Sequence, residues 1–239
     1  MRTLLVAVFL LLFFIVSIPL FGIEILIGKF NKKWQAKSSQ AIVKTALKMI
    51  LAISGVTVDA SGMENVPKDK AVLYVANHRG IFDILLVYTT VPTPTGFISK
   101  KEVEKLPFIR TWMGFLNCLF LDRQNIKEGF KTILAGIEKI KQGYSIFIMP
   151  EGTRNKGEGV LPFHEGSFKF AEKTGCPIIP VAITNTDKVL EKHIPWITKT
   201  STSIRYGKPI YVNELTKEEK KFLGIHSKKI IEGMLEEMQ

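Results

Sequence analysis

Short apolar runs alternate with longer amphipathic stretches along most of the chain. The runs are rich in β-branched and aromatic residues, as buried strands are, and comprise Gly55–Gly62, Ala71–Ala76, Gly96–Ser99, Cys118–Leu121, Ser145–Met149 and Pro177–Thr184. Between them, apolar residues recur at helical spacing, most clearly from Ile126 to Ile140. Residues 185–202 show no clear period. This alternation predicts an α/β fold with a largely parallel central sheet flanked by helices.

The first apolar stretch is too long for a strand. Leu4–Phe21 contains 18 almost wholly apolar residues, which as a helix extend about 27 Å, just short of a hydrocarbon core of about 30 Å. A secretory signal would carry more basic residues at its start and a small-residue cleavage site, so we expect membrane insertion instead. The helix either spans the bilayer or dips into one leaflet, and Pro19, Gly22 and Glu24 near its end suit a bend back.

A second helix is predicted at Asn31–Ser54, with apolar and lysine side chains on different sides. A basic amphipathic helix beside a membrane insert is typical of the bilayer interface, and an ordinary surface helix is the alternative. Lys29, Lys32 and Lys33 favour a cytoplasmic position for the chain that follows. We therefore predict a two-helix membrane-docking unit, residues 1–54, and an α/β domain, residues 55–239, at the cytoplasmic face of the cell membrane.

Composition narrows the partners. Among 239 residues, 33 Lys and Arg stand against 22 Asp and Glu, a formal net charge of +11. This excess suits an anionic membrane or an acidic carrier, whereas the lysines are scattered and show no nucleic-acid recognition motif. The two cysteines are isolated, and the chain has neither a phosphate loop nor a dinucleotide fingerprint. We therefore expect no metal, no cofactor and no nucleic-acid partner.

One turn concentrates the residues with catalytic potential. The run Ala71–Ala76 ends just before His78, Gly80 marks a loop, and a helix is predicted after Asp83. A straight helix would keep this histidine and aspartate on different faces, whereas a strand-to-helix turn can bring them together. A carboxylate beside an imidazole fixes its tautomer and frees the other nitrogen to accept a proton. The alternative is a loop histidine beside a helix-capping aspartate.

Four stretches together resemble the motifs of the glycerolipid acyltransferase family. Asn77–Asp83 looks like the first motif, Phe120–Arg123 like the second and Ile179–Val181 like the fourth. Met149–Arg154 resembles the third, usually written Phe-Pro-Glu-Gly-Thr-Arg, with methionine in place of phenylalanine. All four occur in the family's order. The best-known branch of this family is the 1-acylglycerol-3-phosphate (lysophosphatidic acid) acyltransferases.

The resemblance implies a reaction. A fatty acyl group would pass from a thioester donor, acyl-CoA or acyl carrier protein, to the sn-2 hydroxyl of 1-acylglycerol 3-phosphate, giving phosphatidic acid for phospholipid biosynthesis. No covalent acyl-enzyme is implied. His78 would act as general base, oriented by Asp83.

The remaining site residues would hold the acceptor. Arginine matches phosphate with two parallel hydrogen bonds, so Arg123 and Arg154 are the predicted clamps, with Lys100 as an added charge. The family assigns its motif glutamate to the same site. Since Glu151 would repel phosphate, we expect it to position an arginine or the glycerol hydroxyls, an ion pair with Arg154 being the alternative. Backbone amides of the turn Glu151-Gly152-Thr153 are candidate donors to the reaction's oxyanion.

Two other functions stay open at this level. The same chemistry on glycerol 3-phosphate or another lysophospholipid would use the same clamps. A membrane-binding protein without catalysis would explain the N-terminal helices, but not the convergence of His78, Asp83 and the Glu151 turn.

Overall fold

The computed structural model describes residues 1–238, which form eight α-helices and seven strands. The strands are β1 (Thr57–Ser61), β2 (Leu73–Ala76), β3 (Thr95–Lys100), β4 (Leu119–Leu121), β5 (Ser145–Ile148), β6 (Ile178–Thr184) and β7 (Ser201–Tyr206). The helices are α1 (Arg2–Phe30), α2 (Lys32–Ser54), α3 (Phe82–Thr90), α4 (Pro107–Phe115), α5 (Ile126–Lys141), α6 (Lys169–Thr174), α7 (Lys217–Lys221) and α8 (Leu223–Glu236).

The strands form one sheet in the order β1-β7-β6-β2-β5-β3-β4. The five strands from β6 to β4 in this order are parallel to one another. β7 runs antiparallel to β6 and parallel to β1. The predicted α/β fold with a largely parallel sheet flanked by helices is confirmed. Because β2, β3, β4, β5 and β6 run the same way, the residues that follow them lie at one edge of the sheet.

β7 departs from the sequence prediction, because it begins inside the stretch expected to be irregular. Its side chains alternate between exposed and buried, and Thr202, Ile204 and Tyr206 face inward. Thr202 is polar, which hides the period, but its hydroxyl donates to the carbonyl oxygen of Thr57 in β1 at 2.8 Å. The buried threonine is therefore satisfied within the sheet.

Each face of the sheet carries its own core, so β2 is buried on both sides. Tyr74 and Phe147 belong to the core beneath α2 and α3, where their rings stack at 5.9 Å. Leu73 and Val75 belong to the core beneath α5, α6 and α8. Double-sided burial is typical of parallel strands. It fixes the end of β2, from which the His78 turn departs.

α1 and α2 form a helical hairpin that turns at Asn31. The Asn31 side chain accepts two backbone amides of α2 at 2.9 and 3.1 Å, as an N-cap does. Glu24 is buried between the helices, where its carboxylate accepts the hydroxyls of Ser38 and Ser39 at 2.6 and 2.8 Å. α1 continues as a helix through Pro19, so the chain does not turn back there. The chain reverses only at Asn31.

α1 lies along the domain rather than apart from it. Its Phe21 packs on Trp112 of α4 at 5.3 Å, and the Trp112 indole donates to Ser17 at 2.9 Å. The opposite face of α1 exposes large apolar side chains, including Leu4, Leu5, Val8, Leu11, Leu12, Ile15 and Val16. By length and composition α1 could cross a membrane, and only 11% of the residues in its most apolar stretch are buried in the protein. An apolar face therefore runs along the outside of the molecule.

Candidate active site

The topology gathers the predicted residues at one edge of the sheet. His78 follows β2, Lys100 ends β3, Arg123 follows β4, and Glu151 and Arg154 follow β5. β2 is paired with β5 and β3 with β4. Direct contacts join these strand ends, among them the His78 amide with Glu151 and Arg123 with the Gly152 carbonyl oxygen. Lys100 is exposed beside them, in register with Leu121.

His78 and Asp83 meet across the strand-to-helix turn. The Nδ1 atom of His78 lies 2.7 Å from Oδ2 of Asp83. A carboxylate oxygen accepts, so Nδ1 carries the proton and Nε2 presents a lone pair. The His78 side chain is 18% exposed, whereas that of Asp83 is fully buried. The pair therefore has the arrangement that a general base needs, because the nitrogen that can accept a proton belongs to His78, the more accessible of the two residues.

The Asp83 carboxylate is held from every side. It accepts four hydrogen bonds, from Nδ1 of His78, from the backbone amides of Arg79 (2.7 Å) and Gly80 (3.0 Å), and from the hydroxyl of Thr186. The aspartate thus closes the turn and orients the histidine at the same time. Asp83 lies in the first turn of α3 but does not cap the helix; its carboxylate contacts the imidazole and the amides of the preceding turn.

Asn77 fastens this turn to β6. Its side-chain amide donates to the carbonyl oxygen of Ile183 at 2.9 Å, and its oxygen accepts the Ile183 amide at 2.9 Å. Asn77 is buried, and it pairs with a strand backbone as a neighbouring strand would. The end of β2 and the end of β6 are therefore held in fixed register behind His78.

Glu151 braces the His78 turn from the other side. One carboxylate oxygen accepts the His78 amide at 2.6 Å, and the other accepts the Leu161 amide at 2.9 Å. The carbonyl oxygen of His78 accepts the Asn155 amide at 2.8 Å. Burial raises the pKa of the Glu151 carboxyl, against the effect of these two amides. The glutamate of the third motif thus accepts two backbone amides, one of them from the His78 turn, instead of positioning an arginine as expected.

The two predicted clamps have different partners. Arg123 donates to the carbonyl oxygen of Gly152. Arg154 pairs with Glu191 at 2.9 Å and not with Glu151, so the alternative ion pair across the turn is absent. Gly152 adopts a left-handed φ of 73°, and a Cβ there would lie about 3.3 Å from Arg123. Glycine adopts this conformation readily, and two residues later Arg154 contacts the segment after β6.

The segment after β6 supplies partners that sequence reasoning missed. Glu191 accepts the Ile81 amide at 2.8 Å in addition to Arg154. Asp187 pairs with Arg79 at 3.2 Å, so this arginine is not a solvated surface side chain. Burial opposes ionisation of Asp187, but hydrogen bonds from Lys192 and Arg79 hold the pKa of its carboxyl below the usual range. The signal was the position of these residues directly after a fifth parallel strand.

The described residues do not offer a set of metal ligands. Within residues 1–238, no group of three or more His, Cys, Asp or Glu side chains is placed to hold an ion. The two cysteines are buried free thiols, and burial raises the pKa of Cys118 to about 11. The reactive groups of the edge are therefore the imidazole, the carboxylates and the arginines.

The chain is similar to known proteins over most of its length. A family model described as acyltransferase matches residues 57–184. The chain is 31% identical over 182 residues to the 1-acyl-sn-glycerol-3-phosphate acyltransferase of Borreliella burgdorferi, covering 76% of this chain and 73% of that protein. It is 30% identical over 167 residues to the Escherichia coli enzyme of the same name, covering 70% and 67%.

A solved structure extends the likeness to the whole fold. The crystal structure of the 1-acyl-sn-glycerophosphate (LPA) acyltransferase of Thermotoga maritima superposes with a TM-score of 0.80 at 26% identity. It covers 100% of this chain and 98% of that one, so the N-terminal hairpin is shared as well as the sheet. The chain belongs to the acyltransferase family, in the group whose curated members are 1-acyl-sn-glycerol-3-phosphate acyltransferases.

Proposed function

We propose that this chain transfers a fatty acyl group from a thioester to the sn-2 hydroxyl of 1-acylglycerol 3-phosphate at a membrane surface, giving phosphatidic acid. The observation that carries the proposal is the 2.7 Å contact between His78 and a buried, fully hydrogen-bonded Asp83. The donor is an acyl-CoA or an acyl carrier protein. No metal or cofactor takes part in the proposed step.

The tautomer of His78, with its proton on Nδ1, determines the direction of the proposed proton transfer. Nε2 of His78 takes the proton of the acceptor hydroxyl while that oxygen attacks the thioester carbon. The ester C–O bond forms, the C–S bond breaks, and the leaving sulfur receives the proton from His78. The Asp83 carboxylate stabilises the imidazolium formed between these events. Since the hydroxyl itself is the nucleophile, no acyl group is attached to the protein.

Backbone amides of the turn after β5 are the proposed donors to the oxyanion. The Gly152 amide already donates to the carbonyl oxygen of Met149 at 3.1 Å. Of the three amides considered, this leaves those of Glu151 and Thr153 for the tetrahedral intermediate. Donors fixed in a turn stabilise developing charge without reorganising during the reaction.

Arg123 and Arg154 are the proposed phosphate clamps, assisted by Lys100. Each arginine is held by a protein acceptor yet exposed. A phosphate dianion competes for such guanidinium groups with two parallel hydrogen bonds.

Loss of either clamp is expected to act on acceptor binding. Arg123→Ala and Arg154→Ala should each raise the KM for 1-acylglycerol 3-phosphate about tenfold or more, because hydrogen bonds to charged groups contribute about 1.5–3 kcal/mol. Arg205→Ala, which removes a surface arginine paired with Glu237, is the matched control. Steady-state kinetics on 1-acylglycerol, which lacks the phosphate, completes the comparison. Equal losses on both acceptors would mean that the arginines hold structure instead.

Glu151→Gln separates a bracing role from acceptor binding. Glutamine offers one acceptor oxygen and one NH₂, so either the His78 or the Leu161 amide loses its partner, at a cost of about 1–3 kcal/mol. We expect a lower melting temperature and a loss of kcat of up to about 10²-fold, since small displacements of a catalytic group are costly. The control Glu158→Gln changes an exposed carboxylate of the same loop. A change confined to acceptor KM would assign Glu151 to the acceptor.

The hairpin is the proposed docking device. The exposed apolar face of α1 would lie among lipid chains, with the α/β domain on the cytoplasmic side, and bring the site to the acceptor. Extraction of a long-chain acceptor into water would cost about 0.8 kcal/mol per methylene. α2 contributes Leu51 to the core beneath it, so surface substitutions test docking more cleanly than truncation at the proposed boundary after Ser54.

Carboxylates introduced on the exposed face of α1 are expected to weaken binding of the protein to vesicles. Leu11→Asp with Ile15→Asp should lower the fraction that co-sediments with anionic vesicles at least about tenfold, because each carboxylate must leave water to insert. Ile126→Asp, at a residue of α5 that is 90% exposed, should bind as the wild type does. Unchanged sedimentation of the α1 variant would contradict this docking face.

A matrix of acceptors tests the substrate assignment. Purified chain in vesicles is offered 1-acylglycerol 3-phosphate, glycerol 3-phosphate or lysophosphatidylcholine, each with acyl-CoA and with acyl carrier protein thioester. We expect the first acceptor to give the highest kcat/KM. Preference for either of the others would move the function to that acceptor.

A further inference from the structure

The connection between β6 and β7 exposes an apolar tip. Residues 188–199, here called the tip loop, contain no regular helix or strand beyond Lys188. Ile194 is 69% exposed and Trp196 is 64% exposed, with Pro195 between them. A contiguous patch of exposed apolar side chains marks an interaction surface. Neither the proposed chemistry nor the core uses them.

The tip loop adjoins the outer face of α1. The hydroxyl of Thr3 donates to the carbonyl oxygen of Pro195 at 3.1 Å and accepts the Ile197 amide at 2.9 Å. The next residues of α1, Leu4 and Leu5, are 67% and 49% exposed. The apolar tip therefore continues the apolar face of α1 at its N-terminal end.

The charges around the tip favour an anionic surface. Lys192 and Lys199 are exposed on either side of it, and Arg2 lies near Lys199 beside Gly55. The acidic groups of the same segment are occupied, since Glu191 pairs with Arg154 and Asp187 with Arg79 and Lys192. Tryptophan flanked by lysine is typical of the headgroup region of a bilayer.

The same segment is hydrogen-bonded to the catalytic turn. Thr186 donates to Asp83, Asp187 pairs with Arg79, and Glu191 accepts the Ile81 amide. A membrane that binds the tip loop would therefore have the His78 turn close to its surface. That placement suits an acceptor whose head lies in the interface and whose tail stays among the lipids.

We propose that Ile194 and Trp196 insert into the headgroup region of an anionic bilayer and form a second membrane contact beside the active site. The proposal rests on the proposed function for its purpose, the delivery of a lipid acceptor to His78. Its physical content is independent of that function: the two side chains enter lipid when the protein docks.

Tryptophan emission reports insertion directly. The chain has three tryptophans, of which Trp112 is buried and Trp34 is exposed near the hairpin turn. The Trp34→Phe variant and the Trp34→Phe/Trp196→Phe variant are compared on anionic vesicles containing brominated phospholipid. Their difference isolates Trp196. We expect its emission to shift to shorter wavelength and to be quenched by the brominated lipid.

A second variant links insertion to access. Ile194→Ser with Trp196→Ser should lower vesicle binding about fivefold or more, given the apolar area lost, and lower turnover of vesicle-borne acceptor to match. Turnover of a short-chain soluble acceptor should stay at the wild-type rate. Ile225→Ser, at a residue of α8 that is 64% exposed, is the matched control and should change neither quantity.

Three results would overturn the proposal. The first is unquenched Trp196 on protein that sedimentation shows to be vesicle-bound. The second is equal loss of vesicle binding for the double variant and for Ile225→Ser. The third is a stable dimer in solution that the double variant dissolves, which would make a second copy the occupant of this surface. Quenched Trp196 in a protein that does not acylate 1-acylglycerol 3-phosphate would support the contact and reject the proposed function.

Discussion

His78→Ala is expected to lower turnover of 1-acylglycerol 3-phosphate by about 10²–10⁴-fold, the usual contribution of a general base. The imidazole is partly exposed, and because Asp83 occupies Nδ1, Nε2 is the nitrogen left to accept a proton. Its removal leaves the hydroxyl to lose its proton to water. A residual rate above background is expected, because the clamps and the turn amides stay in place.

The His78→Ala variant should fold and bind membranes as the wild type does. The side chain is partly exposed and its backbone contacts with Glu151 and Asn155 do not need the ring. Circular dichroism, thermal melting and vesicle sedimentation establish this before kinetics. His226→Ala, which removes a histidine beside Glu219 on the C-terminal helices, is the control. Wild-type turnover in a folded His78→Ala protein would refute the general base.

Asp83→Ala is expected to lower turnover by up to about 10⁴-fold, as loss of a histidine-orienting carboxylate does in other enzymes. It also leaves the buried amides of Arg79 and Gly80 without an acceptor, at about 1–3 kcal/mol each, so melting must be measured alongside. The stability effect is the reason to pair it with a milder variant.

Asp83→Asn separates orientation from charge. The Thr186 hydroxyl can rotate to accept from an amide NH₂, so the asparagine oxygen can keep its place towards His78 and the two backbone amides. We expect a loss of about 5–30-fold, the difference between a neutral and a charged hydrogen bond to the imidazolium. Equal activity of Asp83→Asn and wild type would mean that the carboxylate only orients. Equal loss in both Asp83 variants would mean that its charge is the whole effect.

The turn and the sheet edge could be predicted because both rest on local rules. Five residues from His78 to Asp83 exclude a shared helix face, and a glycine between them permits a turn. Alternating strands and helices give parallel strands, whose ends meet at one edge. These arguments need no knowledge of distant contacts, and the fold agrees with them.

The partners that complete the site could not be predicted in this way. Thr186 lies more than a hundred residues from Asp83, and Glu191 more than a hundred from Ile81, in a segment whose pattern gives no period. Arg154 has a carboxylate three residues away in Glu151, and spacing alone favours that pair. The left-handed Gly152 and the double amide contact of Glu151 decide otherwise, and neither is visible in a one-dimensional pattern.

The end of α1 shows the same limit. Pro19 within a helical pattern is a signal for a kink or an end of the helix, and with Glu24 it suits a bend back. In the hairpin, the serines of α2 satisfy the carboxylate and Trp112 packs beside Ser17, so tertiary contacts hold the helix on both sides of the proline. Local propensity is overridden by packing there.

Product formation on vesicles tests the central claim most directly. Wild-type protein is mixed with vesicles carrying 1-acylglycerol 3-phosphate and with a thioester whose acyl group is labelled, and thiol release, labelled lipid and labelled protein are measured together. The account predicts one thiol released for each phosphatidic acid, the label at the sn-2 position, no label on the protein, and loss of both signals with His78→Ala. Thiol release without phosphatidic acid, a stable label on the protein, or undiminished product from the His78 variant would contradict direct transfer to a hydroxyl activated by His78.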